Sequence, residues 1–210
     1  MKNQYVADVN DYNKYLLLTD ISNIYDTIDI CWMLTPDDGK RDGRKTNYLF
    51  DGSKRQDTLI YDCLRGLVTS GIRDIKAIQK AGIIPIRKYY PNLEDIDEED
   101  LPDLLFFDPD NGLEIKSVHR NSPQSKRYVY YSDIEPILEQ DCDVLVYQHY
   151  PRVNHGEYHL HRTQEIKERL GNVRVQHIPM GMVDFILIQN NPTTTKGWDC
   201  WGNEVKDIEL

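Results

Sequence analysis

Apolar residues in this chain follow two rhythms: short unbroken runs, and stretches where they recur every three or four positions. The runs at 28–34, 83–89, 103–107 and 143–149 have strand length and the near-continuous apolar character of strands buried on both faces. Two further runs, 173–178 and 184–189, flank Pro179-Met180-Gly181-Met182 and predict a hairpin near the C-terminus. Amphipathic stretches lie between these runs. Residues 13–24 put Tyr15, Leu17, Leu18 and Ile21 on one helical face. Residues 58–68 and 72–80 predict two helices broken at Ser70-Gly71, and 163–170 predict another that stops at Gly171-Asn172. One more helix starts at Ser132, with that serine as its cap and Pro136 in its first turn.

Alternation of buried strands with helices implies an α/β fold, a mostly parallel sheet covered on both faces. At 210 residues the chain suffices for one sizeable core, expected over 1–192, with an irregular tail at 193–210. Ligands of such sheets bind beyond the carboxyl ends of the strands, near the point where strand order reverses. That rule directs attention to the loops after Leu34, Phe107 and Tyr147.

Each of these loops is chemically rich. The run ending at Phe107 delivers Asp108-Pro109-Asp110-Asn111-Gly112, where Pro109 fixes the backbone and Asp110-Asn111-Gly112 makes a tight turn. Carboxylates and an amide held there suit binding of an exocyclic amine, a hydroxyl or a cation. Tyr147-Gln148-His149-Tyr150-Pro151-Arg152 follows another buried strand and offers His149 as a general base or orienting group, with Tyr147, Gln148 and Arg152 as substrate contacts. Thr35-Pro36-Asp37-Asp38-Gly39 is a glycine-bearing turn without the G-x-G-x-x-G spacing. Near the N-terminus, Asp8 and Asp11, two further candidate substrate contacts, precede the first helix, and Lys14 falls in its first turn. The helix dipole disfavours a cation there, so Lys14 either has a partner such as an anion or Asp108, or is a surface lysine.

Charge changes this picture moderately. The formal net charge of −10 disfavours a broad polyanion-binding surface, but its placement is uneven. Residues 94–100 form an acidic block, while Lys40/Arg41/Arg44/Lys45, Arg87/Lys88 and Lys126/Arg127 are basic clusters that leave a nucleic-acid or nucleotide partner open. No apolar run approaches the ~20 residues of a membrane span, and the N-terminus lacks an apolar signal region, so a cytoplasmic protein is expected. Cys31, Cys63, Cys142 and Cys200 form no C-x-x-C pair and read as free thiols. His155, His159 and His161 lie close together, but the Glu-x-x-His arrangement of zinc enzymes is missing.

The order of these features resembles the Rossmann-like S-adenosylmethionine-dependent methyltransferases, and among them the adenine-N6 enzymes acting on ribosomal RNA. Tyr5–Lys14 is similar to their opening segment with its early lysine, and the run 28–34 with Gly39 is similar to their first strand and cofactor loop. Leu105-Phe106-Phe107-Asp108-Pro109 stands where they carry a strand ending in Asp-Pro-Pro-Tyr; Asp110-Asn111 replaces the Pro-Tyr. The combination of Tyr5-Val6-Ala7-Asp8, Asp108-Pro109-Asp110-Asn111-Gly112-Leu113-Glu114 and Tyr147-Gln148-His149 also resembles a family of bacterial and phage-borne proteins.

The methyltransferase resemblance implies a three-layer sandwich with a C-terminal antiparallel hairpin and S-adenosylmethionine held by Thr35, Asp37, Asp38 and Gly39. The acceptor, a nucleobase or nucleotide-like molecule, would meet Asp108, Asp110 and Asn111, with Lys14 and His149 assisting. The missing tyrosine removes the usual stacking platform for a flipped base unless Tyr147 or Tyr150 supplies one. Two alternatives stand beside this reading. One is a phosphodiester hydrolase using Mg²⁺ or Mn²⁺ on Asp108, Asp110, Glu114 and Lys116. The other is a non-catalytic binding protein, with the acidic block, Trp198 and Trp201 as partner surfaces.

Overall fold

The computed structural model describes residues 1–40, 43–54 and 58–190. The tail 193–210, with Cys200, Trp198 and Trp201, and the basic residue Arg41 lie outside the described residues.

Among the described residues, eight strands and five α-helices are laid down in the order α1 (Val9–Ile21), β1 (Ile28–Cys31), α2 (Leu59–Thr69), α3 (Ile75–Ala81), β2 (Tyr89–Tyr90), β3 (Leu104–Phe107), β4 (Gly112–Leu113), β5 (Tyr128–Val129), α4 (Tyr131–Leu138), β6 (Asp143–His149), α5 (His155–Leu170), β7 (Val173–Met180) and β8 (Val183–Asn190). Six strands form one sheet in the order β2-β1-β3-β6-β8-β7, with β4 and β5 pairing apart from it. The first four run parallel; β8 is antiparallel to both β6 and β7. The expected α/β fold with a mostly parallel sheet and a C-terminal hairpin is therefore present, and β8 is the hairpin strand that enters the sheet beside β6.

The unbroken apolar runs reflect burial on two faces. Ile28, Ile30, Leu104, Phe106, Leu145, Phe185 and Leu187 pack with α1, α2 and α3 in one core. Their sequence neighbours Cys31, Leu105, Phe107, Val144, Val146, Ile186 and Ile188 pack with α4 and α5 in the other. The period-2 alternation of a strand thus feeds two apolar layers at once. Cys31 and Cys142 are buried free thiols, and Cys63 is also free. No helix among the described residues is long and apolar enough to cross a membrane.

Several boundaries differ from the expectations for physical reasons. β1 stops at Cys31 rather than residue 34 because Met33 takes a left-handed φ of 48°. Only Tyr89 and Tyr90 of the run 83–89 and its neighbour pair as β2; Pro85 interrupts the run, and Ile83 and Ile84 fill the core without joining the ladder. α1 begins four residues early, capped by Asp8. α4 is capped through Asp133, whose carboxylate accepts the Tyr130 N–H, and not by Ser132. α5 begins at His155, eight residues before the apolar pattern announces it, with Asn154 as cap.

Candidate functional site

The carboxyl ends of β1, β3 and β6 meet the N-terminal end of α1. Asp8 starts that helix by accepting the Asn10 N–H, and the next turns present Asp11 and Lys14 to the sheet. The Lys14 ammonium lies 2.6 Å from Asp108 Oδ2 and 2.9 Å from Asp11 Oδ1, with all three side chains no more than 3% exposed. The unfavourable dipole at the helix start is thus offset by two carboxylates. Asp11 also accepts from Ala7 N and the Tyr15 hydroxyl, so both its oxygens are used. Aromatic faces complete the enclosure: the Tyr147 ring centroid is 5.2 Å from the ammonium and the Trp32 centroid 5.8 Å.

Electrostatics follow from this packing. Burial opposes the charge on Lys14, but Asp108 and Asp11 outweigh it and raise the lysine pKa. Burial pushes the Asp11 carboxyl above the usual carboxylate range, against the pull of Lys14.

A cleft of about 550 Å³ opens over this triad, its walls including Tyr5, Asp8, Asp108, Asp110, Tyr147 and His149. Gly43, Arg44 and Lys45 form the facing rim. Gly43 has a φ of 79°, and a Cβ there would collide with the Tyr5 ring and the Gln4 carbonyl, so only glycine lets this loop close on the cleft. His149 is exposed at the mouth, although the surrounding protein lowers its pKa by desolvation against the pull of Asp108 and Asp110. Its imidazole is therefore neutral at neutral pH and able to accept a proton.

The crevice between the ends of β1 and β3 holds Met1. Its nitrogen donates to the carbonyl oxygens of Asp108 (2.8 Å) and Met33 (3.1 Å) and lies 3.3 Å from Asp110 Oδ1. Asp110 Oδ2 accepts from the Thr35 hydroxyl at 2.7 Å. Burial drives the Asp110 carboxyl up, but the Met1 ammonium, Thr35 and Lys2 prevail and hold it below the usual range.

The remaining expected site residues take other places. Asp37 accepts from the Gln4 N–H, and Asp38 accepts from Lys2 Nζ and Gln4 Nε2, both at 2.9 Å. Those contacts pull the Asp38 carboxyl well down. Loop 35–39 thus clamps residues 1–4, and Gly39 at its tip is exposed. Gln148 is buried and fully employed: Oε1 accepts the Leu113 N–H, and Nε2 donates to the carbonyls of Asn111 and His149. Asn111 acts through its backbone, whose carbonyl also accepts the His149 N–H. Arg152 is exposed on the loop between β6 and α5 and does not line the cleft. Of the two candidate stacking tyrosines, Tyr147 is in the cleft wall, while Tyr150 stacks on His155 at 3.7 Å.

The three carboxylates and the lysine of the hydrolase reading are not brought together. Glu114 turns to α4, accepting the Tyr131 N–H at 2.9 Å, and Lys116 is exposed. Sequence reasoning also missed a second groove, of about 400 Å³, at the ends of β1 and β2. Leu34, Pro36, Leu93, Glu94, Arg120 and Lys126 are in its walls. Its one legible signal was an acidic residue soon after a strand. No family model, curated protein or solved structure matches the chain.

Proposed function

We propose that this protein is a methyltransferase-like enzyme using S-adenosylmethionine on a nucleobase or nucleotide-like amine. The observation that carries this reading is Asp108, paired with Lys14 at the end of β3 under an open cleft. The sheet supports it in a coarser way, because strand order reverses at β1 and the antiparallel β8 lies between β6 and β7.

The chemistry of the crevice suits the cofactor's amino-acid end. Carbonyl oxygens of Met33 and Asp108 with the Asp110 carboxylate converge on an ammonium, here that of Met1. These acceptors would hold the cofactor's ammonium once Met1 leaves, and Glu94 in the adjoining groove would face its hydroxyls. The cofactor supplies an activated methyl group. The chain's own residues then orient the acceptor: the Asp108 carboxylate receives a hydrogen bond from the amine, Tyr147 and Tyr5 wall the cleft, and neutral His149 takes the released proton.

Loop 35–39 enters this account only as the clamp on residues 1–4. A second reading, binding without catalysis, draws on the same triad, since Asp108 already has a cation as partner. Incubation with labelled S-adenosylmethionine and pools of nucleosides, nucleotides and RNA separates the two. The proposal expects label in a base amine with the wild type and none with Asp108→Asn; cofactor binding with no transfer to any pool favours the second reading.

A further inference from the structure

On the sheet face opposite the cleft, three elements assemble a second polar cluster. His159 on α5, His177 on β7 and Asp184 on β8 bring one donor atom each to within 4.8 Å of one another. His177 Nδ1 is 2.6 Å from Asp184 Oδ2, and His159 Nε2 is 3.5 Å from the same oxygen. Asp184 has no exposed surface, and its Oδ1 has no hydrogen-bond partner. An unsatisfied buried acceptor is costly, more so when charged, so this carboxylate retains coordinating capacity that the fold does not use.

We propose that His159, His177 and Asp184 bind one divalent transition-metal ion of the zinc class, with solvent completing its coordination. Two imidazoles and a carboxylate are the donor set that zinc and its neighbours prefer, whereas magnesium and calcium take oxygen ligands. Metal–donor distances of about 2.0–2.2 Å place tetrahedral ligand atoms about 3.4 Å apart. The His159–Asp184 separation already meets that spacing. The His177–Asp184 pair widens from its hydrogen-bonded distance when the cation replaces the shared proton.

The two imidazole rings are stacked, with centroids 4.2 Å apart and planes 21° from parallel. An outer contact is in place for His177. His177 Nε2 is 3.0 Å from Thr163 Oγ1, a hydroxyl that accepts from Nε2–H once Nδ1 binds the ion. The Tyr150 hydroxyl lies 2.8 Å from His159 Nε2, the donor atom itself, and would turn from it to the solvent ligand when the ion enters. Access is from the surface, where His159, 25% exposed, borders a groove with Leu160 and Thr163. A bound ion would join α5 to the β7–β8 hairpin.

Calorimetric titration of the full chain with Zn²⁺, and the visible absorption of its Co²⁺ form, test the site. Wild type is expected to bind one equivalent. His159→Gln and His177→Gln are each expected to weaken binding by about a hundredfold or more, while His155→Gln, outside the trio, leaves it unchanged. Far-UV circular dichroism identifies any variant that fails to fold; His159 is partly exposed, so His159→Gln decides the matter if His177→Gln unfolds. A folded wild type that binds no Zn²⁺, or binding that survives His159→Gln or depends on His155, overturns the proposal.

Discussion

Replacing Lys14 by methionine keeps most of the side-chain volume and removes the cation that bridges Asp11 and Asp108. Both remain buried, so the variant strands two like charges. Removing one partner from a buried ion pair costs about 3–5 kcal/mol, and for a chain of this size that lowers Tm by about 6–20 °C. The effect has a defined pH dependence. Asp11 is already raised above the usual carboxylate value in the wild type. A group raised on folding contributes stability below its unfolded pKa and loses it as pH rises through the folded value. Without Lys14 the folded value rises further, so the penalty is full at neutral pH and shrinks on acidification toward the ordinary carboxylate range. Urea unfolding of wild type and Lys14→Met at pH 7 and at pH 4.5 or so, near the ordinary carboxylate values, measures this directly. A loss below about 1 kcal/mol, the worth of an exposed pair, or one that does not shrink in acid, refutes the reasoning.

Gly112 has a φ of 122°, and a Cβ there would overlap the Gln148 amide. Gly112→Ala is therefore expected to destabilise by more than about 1 kcal/mol in equilibrium unfolding and to disturb the turn carrying Asp110; an effect within error contradicts the packing described. In the transfer assay, His149 should produce an acid limb with an apparent pKa below the ordinary imidazole value, since desolvation lowers it. His149→Gln should remove that limb and lower the rate by about 10²–10⁴-fold with cofactor affinity unchanged, whereas an unaltered pH–rate profile would exclude His149 as the proton acceptor.

Much of this architecture is written locally. The buried runs at 103–107 and 143–149 became β3 and β6, and a cation in the first turns of α1 pointed to an anionic partner, which proved to be Asp108. What stayed hidden depends on partners distant in sequence. The first half of α5 is almost wholly polar, and its inward residues include Arg162, whose guanidinium reaches the Tyr131 hydroxyl and the Glu114 carbonyl. No apolar periodicity marks such a helix. Gln148 reads as a substrate contact until the turn at 111–113 is seen to consume its amide. The carboxylates of loop 35–39 have the chemistry of ligand holders, yet they bind Lys2 and Gln4, a pairing that only the folded chain brings about. Likewise His177 and Asp184 meet diagonally across the hairpin, where His177 pairs with Ile186 and Pro179 with Asp184, a contact that a count of nearby histidines in 155–161 misses.

The most direct test of the functional account is calorimetric titration of the protein with S-adenosylmethionine and with its demethylated product, in the wild type and in Asp110→Asn. One-to-one binding of both ligands by the wild type is expected, with affinity reduced in Asp110→Asn because an acceptor for the ligand's ammonium loses its charge. Absence of binding by a folded wild type, or affinity indifferent to Asp110, would contradict it.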